Sequence, residues 1–143
     1  MLAADIYIDT SIKGPKRRDG RYIYIIGIPE GDKYRQSKPM IREVEDTTEN
    51  HLTILALAAA LSHLKKPFHL DIYMDCAYVA GILDSKGYKG WMENNWLTSK
   101  GKPVTDKELW QDVAGMIKEH EVQIHLKSPH SYRDWMSWTV KGD

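Results

Sequence analysis

Cysteine is almost missing from this 143-residue chain. Cys76 stands alone, so no internal disulfide and no cysteine-based zinc site can form, which agrees with a reducing compartment. Long apolar runs are missing too: none approaches the roughly 20 residues that a membrane helix needs. The N-terminal stretch MLAADIYIDT has no basic segment followed by a long apolar one, so it does not read as a secretory signal, and a cytoplasmic protein is expected. Excess charge of either sign is also absent. Lysine plus arginine and aspartate plus glutamate number 20 each, so no global positive field draws in nucleic acid, and any such binding must be local. Neither an internal repeat nor a low-complexity tract is present.

What is there is a chain of 42% hydrophobic and 28% charged residues, long enough to bury a core without disulfides or a structural metal, and read as one domain over residues 1–143. The charge is uneven. Lys13, Lys16, Arg17, Arg18 and Arg21 crowd one segment, and Glu43, Glu45, Asp46 and Glu49 crowd another; taken alone, each run is a solvated loop.

Residues 5–9, DIYID, alternate and are rich in strand formers, and the following SIKGPKRRDG supplies glycine, proline and charge, as a turn should. RYIYIIGIPEGD repeats the pattern. KYRQSKPMIREVE is a weaker alternation interrupted by Pro39, so a three-strand antiparallel meander is expected. At Thr48 the period changes. Leu52, Leu55, Ala59 and Ser62 or His63 form one stripe, with Ile54, Leu57, Ala58, Leu61 and Leu64 beside it, which predicts a helix capped by Thr47 or Thr48. HLDIYMD at 69–75 reads as a strand parallel to the first, reached by the helical crossover. AYVAGIL is a short helix ending near Gly87, and residues 88–104 an aromatic, lysine-containing excursion. A helix over TDKELWQDVAGMIKEH follows, with Thr105 or Asp106 as its cap. VQIHLK at 122–127 gives a fifth strand, SPHS a turn, and YRDWMSWTV a last helix. This order implies an α/β fold with a mixed five-stranded sheet, three antiparallel strands then two parallel, flanked by helices.

Asp9 closes the first predicted strand and Asp75 the fourth, so if these strands are parallel neighbours the two carboxylates emerge at one edge, where ligand sites in such sheets lie. Like charges held that close need a cation, and hard oxygen ligands suit Mg2+ or Mn2+. For either aspartate alone, terminating a strand and capping the next helix is the commoner role. An ordered lysine or arginine in the gap between them marks a degenerate site instead.

Over nearly its whole length the chain resembles the type 1 ribonuclease H family. DIYIDTS is similar to that family's first-strand motif, with Thr10 in place of a glycine; TENHLT resembles its helix-start motif and IYMDCAYV its strand-end aspartate motif. GWMENNWLTSKGKPVTDKELW looks like its tryptophan-bearing handle, the most specific part of the match. LKSPHSYRDWM looks like a shortened form of its last motif.

The resemblance implies metal carboxylates at Asp9, Asp75 and Asp134, a loop histidine at His130 that aids product release or shuttles a proton, and Mg2+ or Mn2+ as cofactor. The fourth carboxylate, a glutamate in the family, falls on Thr53. A two-metal clamp is sensitive to the loss of a ligand. Glu49, a helical turn earlier, leans away from the site, whereas a water held by Thr53 could fill the place. Thr48, Asn50 and His51 take the positions that touch phosphates of the DNA strand, Trp91 is the candidate for stacking on a sugar or base, and Lys13, Lys16, Arg17 and Arg18 lie beside the site as phosphate contacts. Trp96 and Trp110 are read as packing residues, and His63, His69 and His125 as structural.

The implied function is binding of RNA/DNA hybrids, with three readings open: a metal-dependent endonuclease cutting the RNA strand, a catalytically silent hybrid- or duplex-binding module because Thr53 cannot bind metal, or the same fold with another phosphoryl-transfer chemistry. A monomer is expected.

Overall fold

The computed structural model describes residues 1–142. Its elements run β1 (Leu2–Thr10), β2 (Arg18–Glu30), β3 (Lys33–Gln36), β4 (Met40–Thr47), α1 (Glu49–Leu61), β5 (Phe68–Met74), α2 (Ala77–Ser85), α3 (Gly87–Glu93), α4 (Lys107–Ile117), β6 (Glu121–Leu126) and α5 (Arg133–Val140). One mixed sheet has the order β3-β2-β1-β5-β6, with β4 also on β2. β1 and β2 are antiparallel, while β1–β5 and β5–β6 are parallel. The expected three-then-two arrangement is therefore present, with one correction. The third strand is broken into β3 and β4, which pair with successive parts of β2. Pro39 has no N–H for the ladder, and Ser37 closes the break by donating its N–H to Ile26 O at 2.8 Å while its Oγ accepts the Ile26 N–H at 2.9 Å.

Alternation along β1 divides the sheet into two faces. Ala4, Ile6 and Ile8 point into the larger core, shared with Leu52, Ala56 and Leu57 of α1, Val79 of α2 and Trp110 of α4. Tyr7 points the other way, into a smaller cluster with Ile23, Ile25, Met136 and Val140 under α5. The C-terminal end of α5 is held by Arg21, whose Nε donates to Val140 O at 3.0 Å and whose Nη2 donates to Thr139 O at 3.5 Å.

Thr48 caps α1, its Oγ1 accepting the His51 N–H at 3.1 Å. The buried face of α1 is Leu52, Thr53, Ile54, Ala56, Leu57, Ala60 and Leu61, while Leu55, Ala58 and Ala59 are only half-buried. The predicted stripe is thus rotated, because α1 packs on the sheet and on α4 at once. Two other expectations are corrected. The first third of the 88–104 excursion is helical, since α3 follows α2 directly through Lys86 in a left-handed conformation. Asp106 does occupy the cap position of α4 but with φ 59° and no capping bond; its Oδ1 is drawn instead to His51 Nδ1 at 2.7 Å.

His120 contributes a pH dependence to stability. His120 Nδ1 accepts the Phe68 N–H at 3.1 Å, which requires that nitrogen to be unprotonated, and burial holds its pKa below the ordinary 6.5. With the folded value lower than the unfolded one, the unfolded chain takes up the proton first. The contribution is complete above pH 6.5 and is lost as pH falls through the folded value. Urea unfolding at a series of pH values should show stability dropping below pH 6.5, with a smaller drop in His120→Asn, whose amide oxygen can accept the same N–H at any pH. An equal drop in both proteins would remove His120 as the cause.

Candidate active site

The parallel register pairs Asp5 with Asp71 and Tyr7 with Tyr73; two residues further along each chain stand Asp9 and Asp75. Both carboxylates leave the carboxyl edge of adjacent strands on the face that carries Tyr7 and Tyr73. Asp9 is buried, at 7% exposure, and Asp75 half-buried.

A lysine lies between them. Lys13 Nζ is 2.5 Å from Asp9 Oδ1 and 3.8 Å from Asp75 Oδ2, and Asp9 Oδ1 also accepts the Thr10 N–H at 2.8 Å. From the other side Arg133 forks onto Asp75, Nη1 to Oδ1 at 2.8 Å and Nη2 to Oδ2 at 3.3 Å. Two negative and two positive charges close on themselves. A carboxylate as buried as Asp9 costs several kcal/mol of desolvation unless it is paired, and here this chain supplies the partner.

The position at which the resemblance implies a glutamate holds a buried hydroxyl. Thr53 is 1% exposed, and its Oγ1 donates to Glu49 O at 2.8 Å, one turn back along α1. Glu49 itself accepts the Gly14 N–H on Oε1 at 3.0 Å, so its carboxylate fastens the loop after β1 and does not substitute at the site. Asp134 is exposed on the first turn of α5. Its neighbour Arg133 is the side chain of that turn that reaches Asp75. Among the described residues, no group of three or more His, Cys, Asp or Glu side chains is placed to hold a metal ion. The structure therefore brings Asp9 and Asp75 together and leaves Asp134 outside. A donor set of two carboxylates already engaged by an ammonium and a guanidinium does not fit the divalent pair that the resemblance implies.

His130 sits over Tyr7 and Tyr73, with ring centroids 4.6 and 5.3 Å away, and its Nδ1 accepts the Tyr132 N–H at 3.2 Å. Burial, then the charge of Arg133, lowers its pKa from 6.5, against an upward pull from Asp75 and Asp9. It stands at the margin of the site.

The residues expected to touch nucleic acid are mostly engaged. Thr48 caps α1, Asn50 Oδ1 accepts from Cys76 Sγ at 3.1 Å, and His51 is paired with Asp106. Even so, Thr48 and Asn50 line one surface depression with Gly14, Tyr78 and Thr105. Arg17 pairs with Asp46 at 2.9 Å, Arg18 Nη2 donates to Ser11 O at 3.2 Å, and Lys16 is exposed. Trp91 packs edge-on against Trp110 at 5.6 Å, half-buried, so packing accounts for it. Burial pushes the Cys76 thiol pKa up, while the backbone N–H of Val79 pulls it down. It is buried in the larger core.

Arg133 is the site residue that sequence reasoning missed. Its signal was available, since it directly precedes Asp134 in the motif, but a cation beside an expected metal ligand is easily read as surface. Lys13 was singled out only for phosphate.

A five-position mixed sheet crossed by α1, with paired aspartates at the carboxyl ends of its two central parallel strands, defines the ribonuclease H-like class of α/β proteins. The RNase H family model matches residues 2–133, and the chain belongs to the ribonuclease H family. It is 32% identical over 130 residues to a ribonuclease H of Clostridium botulinum, covering 91% of this chain and 85% of that one. A ribonuclease H of Rhizobium johnstonii is 42% identical over 86 residues, 60% of this chain and 56% of its own. Among solved structures, LC9-RNase H1, described as a type 1 RNase H with the type 2 active-site motif, superposes with a TM-score of 0.77 at 15% identity, covering 97% of this chain and 70% of that one. The PFV RNase H domain gives 0.69 at 20% identity, covering 98% and 90%. These two likenesses establish the fold. The family generally uses divalent metal.

Proposed function

We propose that this protein is a nucleic-acid-binding member of the family that acts on RNA/DNA hybrids chiefly by recognising them, with its carboxylate pair held shut by its own cations. The observation that carries this reading is the Lys13 ammonium within reach of both Asp9 and Asp75, at a site where Thr53 stands for the glutamate. Recognition of a hybrid rests on its A-like shape and on 2'-hydroxyl contacts to the RNA strand. With net charge zero, phosphate attraction comes from local cations: exposed Lys16, and exposed Lys86, Lys89, Lys100 and Lys102 around the tryptophan-bearing stretch. The reading also takes the chain as a monomer, one domain over 1–143, working in the cytoplasm.

A second reading is favoured by the survival of Asp9 and Asp75 as neighbours at the strand ends. In it the protein is an endonuclease for the RNA strand, supported by Mg2+ or Mn2+, with Asp134 completing the ligands and His130 serving product release.

Fluorescence anisotropy with a labelled hybrid, in EDTA and in each metal, followed by gel analysis of cleavage, separates the two. The expected result is hybrid binding that persists in EDTA and is tighter than binding to duplex DNA, with no metal-dependent cut by the wild type. Cleavage by the wild type that Asp75→Asn abolishes establishes the endonuclease; absence of hybrid binding in any condition sinks both readings.

A further inference from the structure

The loop that delivers Lys13 is built to hold it where it is. Gly14 adopts φ +95°, a conformation that side-chain-bearing residues rarely take, and its N–H is tied to Glu49 Oε1 at 3.0 Å. Thr10 Oγ1 donates to Ile12 O at 3.0 Å, and Ile12 is fully buried. The backbone on both sides of Lys13 is thus fixed, while the side chain is 44% exposed and runs from loop to carboxylate along the protein surface. On the far side, Arg133 engages both oxygens of Asp75.

We propose that Lys13 is a built-in competitor of divalent cations: its ammonium fills the place between Asp9 and Asp75 that a metal would take, and a metal enters only when Lys13 withdraws. The chemistry is direct. A divalent ion bridging the two carboxylates needs oxygens about 2 Å away, which puts it in the volume now held by a nitrogen 2.5 Å from Asp9 Oδ1 and 3.8 Å from Asp75 Oδ2. The two cations cannot share that volume. Tethering gives the lysine a high effective concentration that a free ion must overcome, and the exposure of its stem leaves it a path out to solvent. Arg133 adds to the barrier by occupying both Asp75 oxygens, so that the four groups are electrically neutral before any ion arrives. The inference rests on the reading above in taking Asp9 and Asp75 as the family's site, but it needs neither hybrid binding nor cleavage.

The test is a Mn2+ titration followed by the electron paramagnetic resonance signal of the free aquo ion, using the full chain as wild type, Lys13→Met, Lys13→Met/Asp75→Asn and Lys16→Met. Lys13→Met should bind Mn2+ at least tenfold more tightly than wild type, and the added Asp75→Asn should remove that gain. Lys16→Met, which deletes the same charge three residues along the loop, should stay within twofold of wild type. Circular dichroism checks folding of each variant, and Lys13→Gln replaces Lys13→Met should the latter fail to fold. Equal affinity in wild type and the Lys13 variant overturns the proposal, as does an equal gain in Lys16→Met or no binding by the Lys13 variant at millimolar Mn2+. Anisotropy with the hybrid on the wild type keeps the two apart: absence of hybrid binding by the wild type, with the Mn2+ gain of the Lys13 variant intact, discards the proposed function alone.

Discussion

Thr53→Glu combined with Lys13→Leu is expected to cut an RNA/DNA hybrid in Mg2+ at a rate at least a hundredfold above the detection limit at which the wild type shows no cut. Each change supplies half of a requirement. Glutamate at position 53 adds a carboxylate beside Cys76, the residue after Asp75, while leucine at 13 removes the ammonium lying 2.5 Å from Asp9. Either single variant should gain much less, because one leaves the cation in place and the other leaves the ligand missing; neighbouring groups that act as a unit are non-additive. A hundredfold corresponds to about 2.7 kcal/mol of transition-state stabilisation, well within what metal-ion catalysis supplies. The substitution also brings a packing cost, since Thr53 is 1% exposed and bonded to Glu49 O. Single-turnover cleavage of the four proteins should therefore be read beside their melting temperatures. A double variant that folds like wild type and cuts no faster shows that the family's chemistry cannot be restored at this site by ligand and charge alone.

Trp110→Ala should be strongly destabilising. Trp110 is 0% exposed, packs edge-on against Trp91, and lies in the large core with Leu52 and Leu57. Truncating a buried tryptophan to alanine costs about 3–5 kcal/mol, a large share of the 5–15 kcal/mol typical of a whole domain. Trp110→Phe should cost far less, because the indole N–H is buried without a hydrogen-bond partner among the described residues, and phenylalanine removes that unsatisfied donor along with part of the packing. Urea denaturation of the two variants checks both numbers. A loss below 1 kcal/mol for Trp110→Ala means that the tryptophan cluster is not a structural keystone.

Strands and helices were legible where burial is one-sided or periodic. DIYID and RYIYII carry the alternation that the sheet uses, and the change of period at Thr48 marks the start of α1 to within a residue, while its end at Leu61 falls short of the stripe that ran to Leu64. The paired aspartates followed from strand ends, once the two strands were taken as parallel neighbours, together with the motifs around them. What escaped detection depends on local backbone geometry that side-chain periodicity does not encode. Asn95 and Trp96 both take positive φ, 57° and 60°, and turn the chain after α3; nothing in a tryptophan announces that conformation. Ser37 bridges the broken edge strand with one hydroxyl. Lys13 and Asp9 are four residues apart across a turn, with no helix to fix their spacing, so their contact is a property of the loop. Arg133 was hidden by its neighbour: one position along a short helix decides whether a carboxylate or a guanidinium enters the site.

The Arg21 clamp on Thr139 and Val140 turns α5 into a strut pinned at both ends. An eight-residue helix spans about 12 Å, with Arg133 braced on Asp75 at one end and its final carbonyls braced on β2 at the other. The seating of α5 on β2, fixed by Arg21, therefore sets where Arg133 stands relative to Asp75, through an arginine that makes no contact with either carboxylate.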